Sequence, residues 1–232
     1  MGTVKKYPEV LSEWDTMEAA VNGTSLARYG DGELRLALEE GKHIAQEHDP
    51  RMASELRYLL SAPASSNLLV CIPNAQAPNG KPVMWGPTRY SHPRFVSLYN
   101  PRNVYGSSFV TRPDSAPWID NDPYWEMCRK LWYRKAVTLV IGTRGGSLTH
   151  LEHALSVRLI YGPERDAYRE IDTIMERIGT PGHTIILCLG PCATLLAARL
   201  AMKDQHAVDV GHLGRFMPQK WQQSELMGLE GL

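Results

Sequence analysis

The sequence predicts a single Rossmann-like α/β domain, with helices layered on a largely parallel sheet, and three observations lead there. Short apolar, β-branched runs alternate with longer amphipathic segments along the chain, the order expected of strands joined by crossover helices. Several runs end in Gly or Pro directly before a helical pattern, as strand-to-helix turns do. At 232 residues the chain can bury one sizeable core without disulfides or structural metal.

Taken in order, the strand-like runs are Asn67–Pro73 (NLLVCIP), Ala136–Ile141 (AVTLVI), Val157–Tyr161 (VRLIY) and Thr184–Leu189 (TIILCL). Ser25–Tyr29 and Ala207–Val210 are shorter examples. Helical spacing runs over Pro8–Val21, Glu33–Glu40, Arg51–Leu60, Tyr124–Tyr133, Leu148–Leu155, Glu164–Ile178 and Pro191–Met202. Between about 75 and 123 the pattern breaks into Pro, Gly, Asn and Ser without a sustained period, and a stretch of this kind reads as an irregular insert or lid. Its aromatic residues, Trp85, Tyr90, Phe95, Tyr99, Tyr105, Phe109 and Trp118, are too many for a solvated linker. The polar stretch after Met217 reads as a tail that frays or docks on a partner.

Lys plus Arg and Asp plus Glu balance at 25 each, so no global charge draws the chain to nucleic acid or to a basic partner. Cys71 and Cys188 sit in apolar runs, and with Cys128 and Cys192 they form no CxxC zinc or redox pair. The opening MGTVKKYPEV has no apolar signal core and, with Lys6 where Ser or Thr is required, no myristoylation pattern. No stretch approaches the roughly 18 apolar residues of a membrane span. These features describe a reduced, cytoplasmic protein, and a homodimer is among the assemblies they admit.

Four turns carry residues with chemistry. Arg28-Tyr29-Gly30-Asp31-Gly32-Glu33 follows a strand-like run and opens a helix. Its two carboxylates, one Gly apart, can present oxygens to one hard cation, Mn²⁺ or Mg²⁺, which keeps positions for phosphate and water. The same residues also serve as an ordinary helix start, with Asp31 as cap and Glu33 favoured by the dipole. Leu189-Gly190-Pro191-Cys192-Ala193-Thr194 runs from a strand into a helix with Pro191 at its first position, which leaves N–H groups for an anion and a hydroxyl from Thr194. Gly142-Thr143-Arg144-Gly145-Gly146-Ser147 offers backbone N–H groups and the Arg144 fork to phosphate oxygens, but lacks the P-loop lysine. Asp209-Val210-Gly211-His212 ends the last strand-like run, with His212 a candidate metal or phosphate ligand and Asp209 a candidate base or sugar contact.

In combination and order, SLARYGDGEL, IAQEHDPRMASELRYLL, LLVCIPN, SSFVTRP, IYGPERDAYREIDTI and ILCLGPCATLLAARLA leading into AVDVGH resemble the GT-D fold glycosyltransferases. In this bacterial family a D-x-E motif serves the metal-dependent use of a UDP-sugar. The resemblance covers about Ser25 to His212. It implies that Asp31 and Glu33 meet the cation and diphosphate, with Arg28 and Gly30 in the same motif. Gly190, Pro191 and Thr194 match the late strand-to-helix turn, Asp209 and His212 the closing motif, and Gln46 and Arg112 polar positions that contact substrate. Two departures are visible: the family's acidic residue near Gly142 is absent from VIGTRGGSLTH, and its acidic, aromatic ending is replaced by LGRFMPQKWQQ.

The activity implied is transfer of a hexose, glucose in the first instance, from a UDP-sugar to a hydroxyl on a glycan or glycoprotein, with Asp31, Glu33, Asp209 and His212 as the catalytic set. Between Lys81 and Lys135, nine Lys or Arg stand against four acids. With the interleaved aromatics they can stack on sugars, grip phosphates or simply form the solvated face of the insert. Nucleic-acid binding, with transfer to hydroxylated DNA bases, therefore stays open, as do a non-catalytic nucleotide-sugar-binding module and a hydrolase using the D-x-E metal.

Overall fold

The strands are β1 (Glu9–Val10), β2 (Ser25–Arg28), β3 (Leu68–Ile72), β4 (Val104–Ser107), β5 (Ala136–Gly142), β6 (Ser156–Gly162), β7 (Ile185–Cys188) and β8 (Ala207–Asp209). In the computed structural model, which describes residues 7–39, 45–74, 78, 93–142, 148 and 151–218, they form one eight-stranded sheet of order β1-β4-β3-β2-β8-β7-β5-β6. Every pairing in it is parallel. Continuous aliphatic runs such as Val137–Ile141 are buried throughout, as a sheet covered on both faces requires.

Helices α1 (Glu13–Val21), α2 (Asp31–Ala37), α3 (Pro50–Ser61), α4 (Pro93–Val96), α5 (Asp122–Arg129), α6 (Ile171–Ile178), α7 (Pro191–Ala201) and α8 (Leu213–Phe216) fill the connections. Their starts are chemically specified. The Asp49 side chain accepts the Arg51 and Met52 N–H groups at 2.8 and 3.3 Å with Pro50 in the first turn, and Asn121 accepts the Tyr124 N–H at 3.0 Å. α3 buries Met52, Ala53, Leu56 and Leu60 on one face, and α6 buries Ile171, Ile174 and Ile178. α7 is buried almost all round and packs on β2 and β8.

From β2 the chain steps outward to β3 and β4. It then crosses to β5 and β6 and returns through β7 to β8, which closes against β2 with Leu26 opposite Val208. The β2–β8 seam is therefore the switch point of the sheet, and ligands of open α/β sheets bind at the carboxyl end of such a seam.

Four expectations change. The helix expected over Pro8–Val21 starts only at Glu13, where the Ser12 hydroxyl accepts the Asp15 N–H at 3.0 Å, because Glu9 and Val10 pair with Val104 and Tyr105. Strand β4, inside the stretch read as irregular, was not expected. The helix expected over Leu148–Leu155 is replaced in its described part by a turn: Ala154 bridges Tyr133, Arg134 N–H donates to the His153 carbonyl at 2.8 Å, and His153 has φ 59°. The helix expected from Glu164 begins at Ile171, after left-handed Asp166 (φ 55°) and a 3₁₀ turn at Ala167–Glu170. Among the described residues no helix is long and apolar enough to cross a membrane.

At the amino ends of β7 and β8, His206 pairs through Nδ1 with the Thr184 hydroxyl at 3.1 Å and is largely buried. Burial lowers the His206 pKa from its ordinary value. The unfolded chain thus binds this proton more tightly, so the stability His206 contributes is present above its unfolded value of about 6.5 and falls as the pH drops through its lower folded value. His206→Gln is expected to flatten the loss of unfolding free energy between neutral pH and about pH 5. Chemical denaturation of both proteins across that range measures it.

Candidate active site

Because the sheet is parallel, every strand delivers its last residue to one edge, and the turns after β2, β7 and β8 meet there. Arg28, at the end of β2, lies at the centre. Its Nε and Nη2 donate to the Ser108 carbonyl at 3.1 and 2.8 Å, and its Nη1 stands 3.8 Å from Asp209 Oδ1, with both side chains nearly buried. Arg28 thereby ties the end of β4 to the end of β8 across β2. Gly211 completes the arrangement: its φ of 49° favours glycine, and a Cβ there would collide with the Arg28 guanidinium.

Asp209 is 4% exposed. One carboxylate oxygen accepts the Gly211 N–H at 2.9 Å, and the other lies 3.4 Å from the Thr194 hydroxyl. That hydroxyl donates to the Arg28 carbonyl at 2.7 Å. Burial pushes the Asp209 pKa up to about 6; Arg28 opposes the shift and Glu33 adds to it. Beside it, burial holds the Cys188 thiol up at about 12, and its Sγ donates to the Gly211 carbonyl.

Gly30 is the cap of α2, which puts Asp31 and Glu33 at its first and third positions. The Glu33 carboxylate turns back to accept the Gly30 N–H at 2.8 Å, so Glu33 rather than Asp31 makes the capping contact. Asp31 is half-exposed and stands 3.8 Å from Arg35. Tyr29, between Arg28 and this turn, is a core residue whose hydroxyl donates to the Leu56 carbonyl at 2.9 Å. His212 is exposed at the start of α8. Among the described residues no three His, Cys, Asp or Glu side chains group closely enough to hold a metal. Asp31, Glu33 and His212 are thus not assembled as one ligand set; the acidic pair stands with one oxygen committed to the helix cap.

Gly190 caps α7 with φ 55°, Pro191 follows it, and Thr194 is fully buried. Gln46 is buried beside this turn, with Nε2 donating to the Glu47 carbonyl at 3.2 Å and to Asp166 at 3.3 Å. Arg112 forks onto Asp114 at 2.7 and 2.6 Å and lies over the Phe216 ring at 6.0 Å, next to the closing motif. Gly142 ends β5, and Glu164, from the turn after β6, lies against it: a Cβ on Gly142 would be 3.7 Å from the Glu164 Cα. Arg144 lies outside the described residues, as do Lys81, Trp85, Arg89 and Tyr90.

Sequence reading singled out most of the strand-end residues gathered here, but gave no role to Ser108 or Glu164. Gly211 was named within the closing motif, though not its packing against Arg28. Ser108 contributes a backbone carbonyl, which no motif displays. Arg129, Lys130, Arg134 and Lys135, counted with the basic insert, precede β5 and lie at its amino end, the edge opposite this site.

Fold and site together define an α/β protein whose sheet switch point joins the acidic start of α2 to the Gly190-Pro191 start of α7. The family pattern described as glycosyltransferase GT-D fold matches residues 26–216, and the chain belongs to that family. It is 28% identical over 211 residues to the probable glycosyl transferase Gly of Streptococcus gordonii, covering 82% of this chain and 30% of that protein. It is 28% identical over 205 residues to glycosyltransferase GlyD of Streptococcus pneumoniae serotype 4, covering 83% of this chain and 25% of that protein. The chain therefore spans under a third of the length of these relatives. A solved structure described as a new glycosyltransferase (DUF1792) from Streptococcus sanguinis superposes with a TM-score of 0.76 at 26% identity over 89% of this chain and 82% of that one. Another, described as the domain of unknown function 1792 with a distinct glycosyltransferase fold, gives 0.77 at 24% identity over 90% and 79%, and speaks for the fold alone.

Proposed function

We propose that this chain transfers a hexosyl group, glucose in the first instance, from a UDP-sugar to a hydroxyl of a glycan or glycoprotein, with Mn²⁺ or Mg²⁺ as cofactor. The observation that carries the reading is the meeting of the Asp31–Glu33 helix start with the α7 helix start and His212 along one sheet edge. The donor set fits a hard divalent cation: Asp31 is half-exposed, Glu33 adjoins it, and the diphosphate and water would complete the shell. The chemistry a bound cation supplies is charge neutralisation on the departing UDP.

The chain's own residues divide the remaining work. N–H groups at the start of α7 receive phosphate oxygens, and Pro191 gives up no hydrogen bond by standing there. Arg28, engaged with Ser108 and Asp209, holds the edge in shape and is not spent on phosphate. Asp209 is buried among Gly211, Thr194 and Arg28, so it orients the closing motif. To His212, exposed at the start of α8, we assign the acceptor proton. With four of the basic residues at the opposite edge, the structure favours a glycan or glycoprotein over DNA.

Incubation with UDP-glucose and Mn²⁺ is expected to release UDP slowly without acceptor and faster with one. Metal-independent binding without turnover would instead identify a binding module. No UDP-sugar binding by calorimetry, with or without Mn²⁺, refutes the donor assignment.

A further inference from the structure

The turn after β6 reaches across the carboxyl edge and seizes the segment that joins α2 to α3. Asp166 N–H donates to the Ala45 carbonyl at 2.9 Å, and its carboxylate accepts the Glu47 N–H at 2.7 Å and Gln46 Nε2 at 3.3 Å. Gln46 Oε1 in turn accepts the Tyr168 N–H at 3.4 Å. Tyr168 is anchored below, its hydroxyl donating to Glu55 at 2.6 Å, and Glu55 receives the Arg199 fork from α7 at 2.7 and 2.9 Å. Asp166 makes these contacts from a left-handed conformation, φ 55° and ψ 31°. Departures of this kind persist where surrounding contacts over-determine them, and Asp tolerates this one better than most residues.

The clamped segment lies on the candidate donor site. The Ala45 side chain stands 3.8 Å from where a Cβ on Gly190 would be, so residues 45–47 form a wall beside the anion-receptive start of α7. The resemblance made Gln46 a substrate contact. Its amide is instead occupied on both sides by Glu47, Asp166 and Tyr168, and its function follows from those bonds.

We propose that Asp166 and Gln46 are positioning residues that pre-form the Ala45–Glu47 wall, and that this wall sets affinity for the nucleotide diphosphate of the donor. The proposal rests on the donor assignment above. A wall fixed before the ligand arrives spares the cost of ordering it on binding, so releasing the clamp weakens binding rather than chemistry.

The test compares Asp166→Ala, Asp166→Asn and Gln46→Leu with the wild type, all as full chains. Calorimetry with UDP and Mn²⁺ should show affinity about tenfold weaker for Asp166→Ala and Gln46→Leu. With UDP-glucose, KM should rise by a similar factor while kcat changes less than about twofold. Asp166→Asn, which still accepts both N–H donors and is at ease in the left-handed region, should bind within about twofold of wild type. Hydrogen exchange gives a readout independent of ligand: the Glu47 amide should exchange faster in Asp166→Ala and stay protected in Asp166→Asn. Faster Glu47 exchange with unchanged UDP affinity overturns the role in binding, as does an equal fall in kcat with unchanged KM. Unchanged exchange overturns the clamp itself. If the wild type binds no UDP while Glu47 responds as expected, the donor assignment fails, and with it the wall's role, but not the clamp.

Discussion

Glu33→Gln is expected to lower metal-stimulated UDP release by at least about two to three orders of magnitude while leaving the fold nearly as stable as before. Glu33 has two roles that this exchange separates. Its Oε2 accepts the Gly30 N–H at 2.8 Å and finishes the first turn of α2. A glutamine carbonyl can accept the same bond, so only the attraction of a full charge to the helix dipole is lost, about 0.3–1 kcal/mol. Glu33→Ala would remove the cap as well, at about 1 kcal/mol more. Asp31→Asn should repeat the activity loss, because the half-exposed Asp31–Arg35 pair at 3.8 Å contributes little to stability. Coupled UDP-release assays at saturating Mn²⁺, beside thermal denaturation, read both quantities. Full metal-dependent activity in Glu33→Gln would reduce the acidic turn to a helix start, the reading the sequence also allows.

Much of the site is legible in the sequence for one reason: in a parallel sheet, the residue after each strand lands at the same edge wherever the strand stands in the order. Reading GDGE, LGP and DVGH as strand ends therefore placed Asp31, Gly190 and Asp209 together before any pairing was known. The strands β5 and β7 were legible because each is a buried run of β-branched and aliphatic residues. β1 and β4 were not, since two residues and VYGS show no period of their own and are strands only through pairing, Glu9 and Val10 against Val104 and Tyr105, and Gly106 and Ser107 against Cys71 and Ile72 of β3. Leu148, Leu151 and Leu155 imitate helical spacing, yet Leu155 is 77% exposed and the segment folds back onto Tyr133. The contacts that organise the site, Arg28 to the Ser108 carbonyl and the Glu47 N–H to Asp166, join residues far apart in sequence and use backbone atoms. Periodicity and turn chemistry carry no information about such pairs.

Arg28→Met should destabilise the protein strongly, and the deficit should depend on pH in a way that reveals its cause. Methionine keeps the length and apolar stem of Arg28 but leaves the Ser108 carbonyl without its two donors and Asp209 without its cation. Removing one member of a buried ion pair typically costs about 3–5 kcal/mol, because the remaining charge is uncompensated. Asp209 can escape that cost by taking a proton. Its folded pKa is already about 6 with Arg28 present, and losing the cation that opposes the shift moves it higher. An acid raised in the folded state lowers stability as it ionises, so stability falls as pH rises from the unfolded value of about 4 through the folded value. In Arg28→Met that fall extends to higher pH than in the wild type. Denaturant titrations should therefore show a deficit of about 3 kcal/mol or more near pH 8, shrinking towards about 1 kcal/mol near pH 5, where the lost Ser108 hydrogen bonds remain. Adding Asp209→Asn should recover much of the alkaline deficit, since Asn still accepts the Gly211 N–H and carries no charge. A deficit equal at both pH values, and untouched by the second substitution, would mean that Arg28 holds the edge together through Ser108 and packing alone. The switch point would then be a mechanical joint between β4 and β8 in which the charge of Asp209 plays no structural part.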